Sequence, residues 1–133
     1  MSRSTEGPMT VAESRFLSVV IDCADPGLLA LFWQKIVGGR VDTRTESREW
    51  VSLVDVPVLG YLSFQRVPEA KSAKNRVHLD LDTDDMDRSV ALAVANGAVP
   101  CGGQVEEPTN WFQVMQDPEG NEFCFILRKN RGG

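Results

Sequence analysis

The sequence predicts an α+β fold made of two successive β-α-β-β-β modules. Three observations lead there: a strand-helix-strand order that runs once and then begins again, tryptophans and prolines that recur at one spacing, and strands whose side chains alternate between apolar and polar. Residues 1–14 are small, polar and charged, with Gly7-Pro8 as a breaker, and read as a flexible leader outside the fold. A single domain is then expected over 15–133.

Residues 15–23 form a β-branched run that reads as the first strand. Asp25-Pro26 supplies a helix start, the aspartate as cap and the proline at the first helical position. The helix runs over 28–37 and Gly38-Gly39 ends it. Segments 41–45, 49–54 and 61–67 follow as three strands, closing module one at 15–67. A lysine-bearing, proline-containing link covers 68–75. Module two, 76–128, repeats the order: a strand over 76–82, a helix capped by Thr83 or Asp84 and running to Ala95, a stop at Asn96-Gly97, and strands over 98–101, 111–116 and 122–127. Residues 129–133 are a short tail.

The halves overlay. At an offset of 61, Trp50 falls on Trp111, Pro57 on Pro118, Leu62 on Phe123, Ser63 on Cys124 and Phe64 on Phe125. In the first strands the offset is 58 to 60, which brings Ser18 onto His78 and Asp22 onto Asp80. An internal duplication explains the coincidence of tryptophans, prolines and helix-ending glycines.

Composition narrows the class. With 133 residues, 42% apolar side chains and a net charge of −5, the chain has material for an ordinary core and nothing that draws it toward nucleic acid or anionic lipid. No apolar run approaches the roughly 20 residues of a membrane helix, and a soluble cytoplasmic protein is expected. Cys23, Cys101 and Cys124 are odd in number and lack CxxC spacing, so reduced thiols are expected.

Strand alternation sorts the faces. Val19, Ile21, Cys23, Leu62, Phe64, Val77, Leu79, Leu81, Phe123, Phe125 and Leu127 belong against the helices. The opposite face collects Ser18, Asp22, Ser63, Gln65, His78, Asp80, Glu122 and Cys124, with Trp50 and Trp111 if their strands obey the same rule. Aromatic walls around a few polar groups suit a small-molecule cavity, and a solvated sheet face is the plain alternative. His78 is the only histidine, the side-chain type that exchanges protons near neutrality, and Asp80 or Glu122 can orient it. Cys124, between two phenylalanines, reads as a small buried hydrophobe before a nucleophile. The acidic run through Asp80, Asp82, Asp84, Asp85 and Asp87 lacks the glycine and distal glutamate of a calcium loop, and Gly102-Gly103 reads as a turn.

Asp25-Pro26, Leu31-Phe32-Trp33 and Gly38, the run Asn75-Arg76-Val77-His78-Leu79-Asp80-Leu81, and the run Asp117-Pro118-Glu119-Gly120-Asn121-Glu122-Phe123-Cys124 together resemble the glyoxalase-like branch of the vicinal oxygen chelate superfamily. That group includes glyoxalases, bleomycin-resistance proteins and extradiol dioxygenases. The resemblance implies paired βαβββ modules whose curved sheets form an open cup with helices outside, often completed in a homodimer. It implies a divalent metal held on the first and last strands, at positions that become Ser18, Ser63, His78 and Cys124. Only His78 is a usual ligand there, serine being a weak donor and cysteine preferring soft metals. No cofactor is therefore expected; a metal, if bound, would rest on His78 and Glu122. The catalytic expectation is His78 with Asp80 and Glu122, and the ligand-binding expectation is Trp50, Trp111, Gln65, Ser63, Ser18 and Cys124. Two functions stay open: an enzyme of lyase, isomerase or oxygenase type on a small carbonyl-containing or aromatic metabolite, and a drug- or metabolite-binding protein without chemistry. Both expect a small-molecule ligand and a homodimer, and neither expects nucleic acid or a membrane.

Overall fold

The computed structural model describes residues 7–129; the start of the expected leader and the end of the expected tail lie outside the described residues. Two four-stranded mixed sheets carry one helix each. In the first, β1 (Val19–Cys23), β4 (Gly60–Arg66), β3 (Trp50–Val56) and β2 (Arg40–Val41) lie side by side in that order, with α1 (Pro26–Val37) as the crossover. The second repeats it with β5 (Leu79–Asp82), β8 (Glu122–Arg128), β7 (Asn110–Gln116) and β6 (Val99–Glu106), with α2 (Met86–Ala95). The outer pairs β1–β4 and β5–β8 are parallel and all others antiparallel. Among the described residues no helix is long and apolar enough to cross a membrane.

Helix starts follow local chemistry. Asp25 accepts from the Leu28 backbone N–H at 3.1 Å with Pro26 in the first turn, and Asp85 does the same for Arg88. The second cap is thus Asp85, not Thr83 or Asp84; the Thr83 hydroxyl bonds Ser89 and the Asp85 backbone instead. Several strand bounds differ from expectation. Residues 15–18 stay outside β1, with Phe16 and Leu17 exposed, and the expected strand over 41–45 is only Arg40–Val41, because Asp42 folds back to bond Arg44. His78 lies one residue ahead of β5. Gly102-Gly103 is no turn: it sits inside β6, where the register shifts between Cys101 and Val105 and Gly102 takes φ +72°.

The core is continuous through both modules. Leu29, Phe32 and Trp33 of α1 join Val51, Leu53, Leu62 and Phe64 of the first sheet and Met115, Phe123 and Phe125 of the second. Trp33 and Phe123 meet edge-on at 4.9 Å between ring centres. An aromatic helix residue with a polar N–H needs a buried acceptor, and Asp117 supplies it: its Oδ2 takes the Trp33 indole N–H at 3.1 Å. The same carboxylate, 2% exposed, accepts from the backbone N–H groups of Glu119 and Asn121 and from the Asn121 side-chain amide. Glu119, shaped into place by that turn, accepts from the backbone N–H groups of Ala24 and Asp25 at 2.6 and 2.9 Å. The β7–β8 turn of module two therefore grips both the middle and the start of α1 in module one.

Replacing Asp117 by Ala leaves the buried Trp33 indole and two partly buried backbone donors unpaired, and urea unfolding should show a loss of about 3 kcal/mol. Trp33→Phe removes one of those bonds while keeping most of the ring; if Asp117→Ala costs the same in a Trp33→Phe background as in the wild type, the two residues are not coupled as described.

Candidate functional site

Register decides which residues share the face away from the helices. In the second sheet Asp80 pairs with Cys124, Cys124 with Val114 and Val114 with Cys101, so these four make one row across the floor. Ile126, Phe112 and Val105 make the next. A cavity of about 320 Å³ stands over this floor, lined by Lys74, His78, Asp80, Glu107, Asn110, Phe112, Val114, Glu122, Cys124 and Ile126. A second of about 210 Å³ lies between β1 and the approach to β5, where Val20 and Asp22 face Asn75, Val77, His78 and Glu122. His78 and Glu122 belong to both. Larger clefts of about 550 and 630 Å³ open beside the start of α1 and along the link, and neither reaches the histidine.

His78 Nε2 lies 3.2 Å from Asp80 Oδ1, two half-exposed side chains on one face, in an arrangement that becomes an ion pair when the imidazole takes a proton. The histidine, Asp80 and Cys124 place donor atoms within 4.8 Å of one another. Burial first, then the Asp80 carboxylate, push the Cys124 thiol above its ordinary value, against a smaller opposite pull from Lys74. That keeps it a thiol near neutrality and speaks against a nucleophile. Cys23, in the core, is pushed up to about 12 by burial and then by Glu119 and Asp117.

Glu122 does not stand available beside His78. Its Oε1 accepts from the Asn75 backbone N–H at 2.8 Å, and Lys71 Nζ lies 3.2 Å away. These partners, the backbone bond first, hold its carboxyl below the usual 4.5. The residue anchors the link to β8 and lies outside the His78, Asp80 and Cys124 cluster.

Trp111 is a correction. It pairs with Leu127 on the helix side, packs against the core, and carries Lys129 5.8 Å from its ring centre. Trp50 does lie on the face away from the helices, in line with Gln65, but in the first sheet. The reason is one residue. Leu53 pairs with Leu62 nine positions on, Met115 with Phe123 only eight on, so the first hairpin carries an extra residue, marked by Asp55 at φ 57°. Across β3 and β7 the true offset is 62, Trp50 matches Phe112, and a slip of one exchanges the faces. Likewise β1 and β5 match at 60, which keeps Ser18 on His78 but sets Asp22 on Asp82 instead of Asp80.

The first sheet's floor is differently furnished. The Trp50 indole donates to the Ser52 hydroxyl at 2.8 Å, and Ser52 bonds Ser63 at 2.8 Å, both serines buried. Ser63 is spent on this chain and offers no ligand to His78. Of the implied metal positions, His78 and Cys124 come together with Asp80, while Ser63 bonds Ser52. Ile126 joins the lining as its strand phase predicts; the residues not foreseen are Phe112, Val114 and Asn110, whose buried Oδ1 has no protein partner. The hairpin length was the signal that could have found Phe112.

Because the folded value of Glu122 lies below its unfolded one, its contribution to stability is complete above about pH 4.5 and is lost as pH falls through the folded value. Glu122→Gln should flatten the decline in unfolding free energy as pH falls below about 4.5, measured by urea titration at each pH. Native Cys23 and Cys124 should alkylate more slowly at about pH 8 than in urea-unfolded chain, read by mass mapping; equal rates would contradict the burial described.

Comparison with known proteins agrees with this architecture. The family model of the glyoxalase-like domain matches residues 18–126. A search of curated proteins found no match. Among solved structures, a glyoxalase/bleomycin resistance protein/dioxygenase family enzyme from Burkholderia phytofirmans superposes with a TM-score of 0.71 at 20% identity, over 84% of this chain and 96% of that one. The fosfomycin resistance protein FosX from Mesorhizobium loti gives 0.68 at 10% identity, over 88% and 93%. A hypothetical protein from S. aureus gives 0.68 at 13%, over 89% and 95%. At such identities the structures speak for the fold, which runs through both modules here and there. Matched from Ser18 to Ile126, the chain belongs to the glyoxalase-like domain family of the vicinal oxygen chelate superfamily.

Proposed function

We propose that the cavity of module two is a small-molecule site in which His78 moves a proton on a carbonyl-containing or aromatic metabolite. One observation carries this reading: the only histidine stands beside Asp80 at the polar end of a cavity of about 320 Å³ whose other walls include Phe112, Val114 and Ile126. A flat apolar body suits that floor. Asp80 holds its charge 3.2 Å from Nε2, so a proton taken from the ligand by the imidazole is received next to a carboxylate. Asn110, whose Oδ1 is buried and unpartnered, lines the same cavity.

A second reading has its own support. Glu122, the expected second acid-base group, is engaged by Asn75 and Lys71, which leaves His78 with Asp80 as the acid-base pair of the cavity. Binding without turnover fits so sparse a site.

The experiment is a panel of small carbonyl compounds and aromatic metabolites, followed both for product and for tryptophan-fluorescence change. Under the enzyme reading His78→Ala lowers kcat by about a hundredfold or more. Under the binding reading no compound turns over and His78→Ala leaves stoichiometric binding in place. In both, Phe112→Ala weakens the ligand and Trp111→Ala does not; the reverse order would move the site off module two.

A further inference from the structure

We propose that residues 68–77 are a strap forming the movable wall of the His78 cavity, and that Glu122 is its latch. The inference rests on the reading of that cavity as the ligand site and names how the site opens. The strap hangs between two fixed ends. At one, the Val67 backbone N–H bonds the Cys23 carbonyl at 2.9 Å; at the other, the ladder of β5 with β8 begins at Leu79. Between them no residue belongs to a strand or helix, none is buried, and none packs into the core. Opening such a segment uncovers no core surface, so its position depends on the few bonds that tie it down.

Among the described residues those bonds converge on one residue. Glu122 Oε1 accepts from the Asn75 backbone N–H at 2.8 Å, the Glu122 backbone carbonyl accepts from the Asn75 side-chain amide at 3.5 Å, and Lys71 Nζ donates to Glu122 Oε2 at 3.2 Å. Lys71 also donates to the Ala73 carbonyl and passes its stem over Gly120, which draws the middle of the strap onto the latch. The Lys71 and Glu122 side chains are only 23% and 14% exposed, so water screens this pair less than the surface pairs elsewhere. The strap is also a shared wall. Lys74 lines the cavity of about 320 Å³, Asn75 and Val77 line that of about 210 Å³, and His78, where the strap meets β5, lines both. Lifting the strap therefore opens both cavities at once, and a ligand that fills either one meets it from inside.

The test uses the full chain and iodoacetamide, a neutral probe, with mass mapping of the alkylated cysteines. Cys124 lies on the cavity floor behind the strap, Cys101 lines neither cavity, and Cys23 is buried in the core, so the first reads the strap and the other two serve as controls. Glu122→Ala should raise the Cys124 rate about tenfold and Lys71→Met about threefold, with Cys101 and Cys23 left at wild-type rates. The two variants remove charges of opposite sign, so a purely electrostatic effect on the thiol moves their rates apart, whereas opening moves them together. Glu122→Gln keeps an acceptor for the Asn75 N–H and should match Lys71→Met, while Glu122→Leu, alike in bulk, should match Glu122→Ala. Circular dichroism checks that each variant is folded, and Lys71→Met carries the test if the Glu122 variants are not. An unchanged Cys124 rate in the folded variants, rates that move in opposite directions, or a Cys23 rate that rises in step with Cys124 overturns the latch. Alkylation needs no ligand, so failure of the underlying reading appears separately, as a panel of carbonyl and aromatic compounds of which none binds or turns over.

Discussion

A single buried carboxylate organises the relation between the two halves. Asp117 sits at the turn between the last two strands and takes donors from its own turn and from an indole 84 positions earlier. An acceptor-only group deep in the interior is costly unless its oxygens are occupied, and here both are. The turn is consequently rigid, Glu119 is presented to the start of α1, and the two sheets acquire a common core. The cavity between β1 and the approach to β5 exists because that docking holds the strands near each other without pairing them.

Much of this was legible in the residues. The duplicated order of elements, the helix starts at Asp25 and Ala95's glycine stop, and the helix-facing rows of Phe64, Leu79, Phe123 and Phe125 all follow from patterns that depend on one module at a time. Side-chain period in a strand is robust to small errors at its ends. It is not robust to register. The extra residue in the first hairpin is invisible to an overlay that matches tryptophan with tryptophan, and it moved Trp111 to the helix side while Phe112 took its place. The partners of Glu122 are hidden for another reason: its strand phase places it at the cavity, but Asn75 and Lys71 lie in a link with no regular structure, and such contacts have no sequence period.

The two floors have diverged under the same scaffold. In the first sheet, indole and hydroxyls satisfy one another, a closed polar chain that needs nothing from solvent. In the second, the equivalent row offers an acid, a thiol and a neighbouring imidazole, with an amide oxygen left unpaired nearby. The two sheets repeat one frame, and here one presents reactive groups while the other is internally saturated.

The parallel pairing of each module's first strand with its last has a consequence for synthesis. Val19 meets Leu62 and Leu79 meets Phe123, partners roughly 43 residues apart in the chain. As the polypeptide leaves the ribosome, the first sheet can close only after Arg66 has emerged, and Trp33 then waits for Asp117, which arrives much later. Module one thus spends an interval as a nascent half-domain with an aromatic helix face uncovered, the moment at which this chain is most exposed to aggregation or chaperone capture.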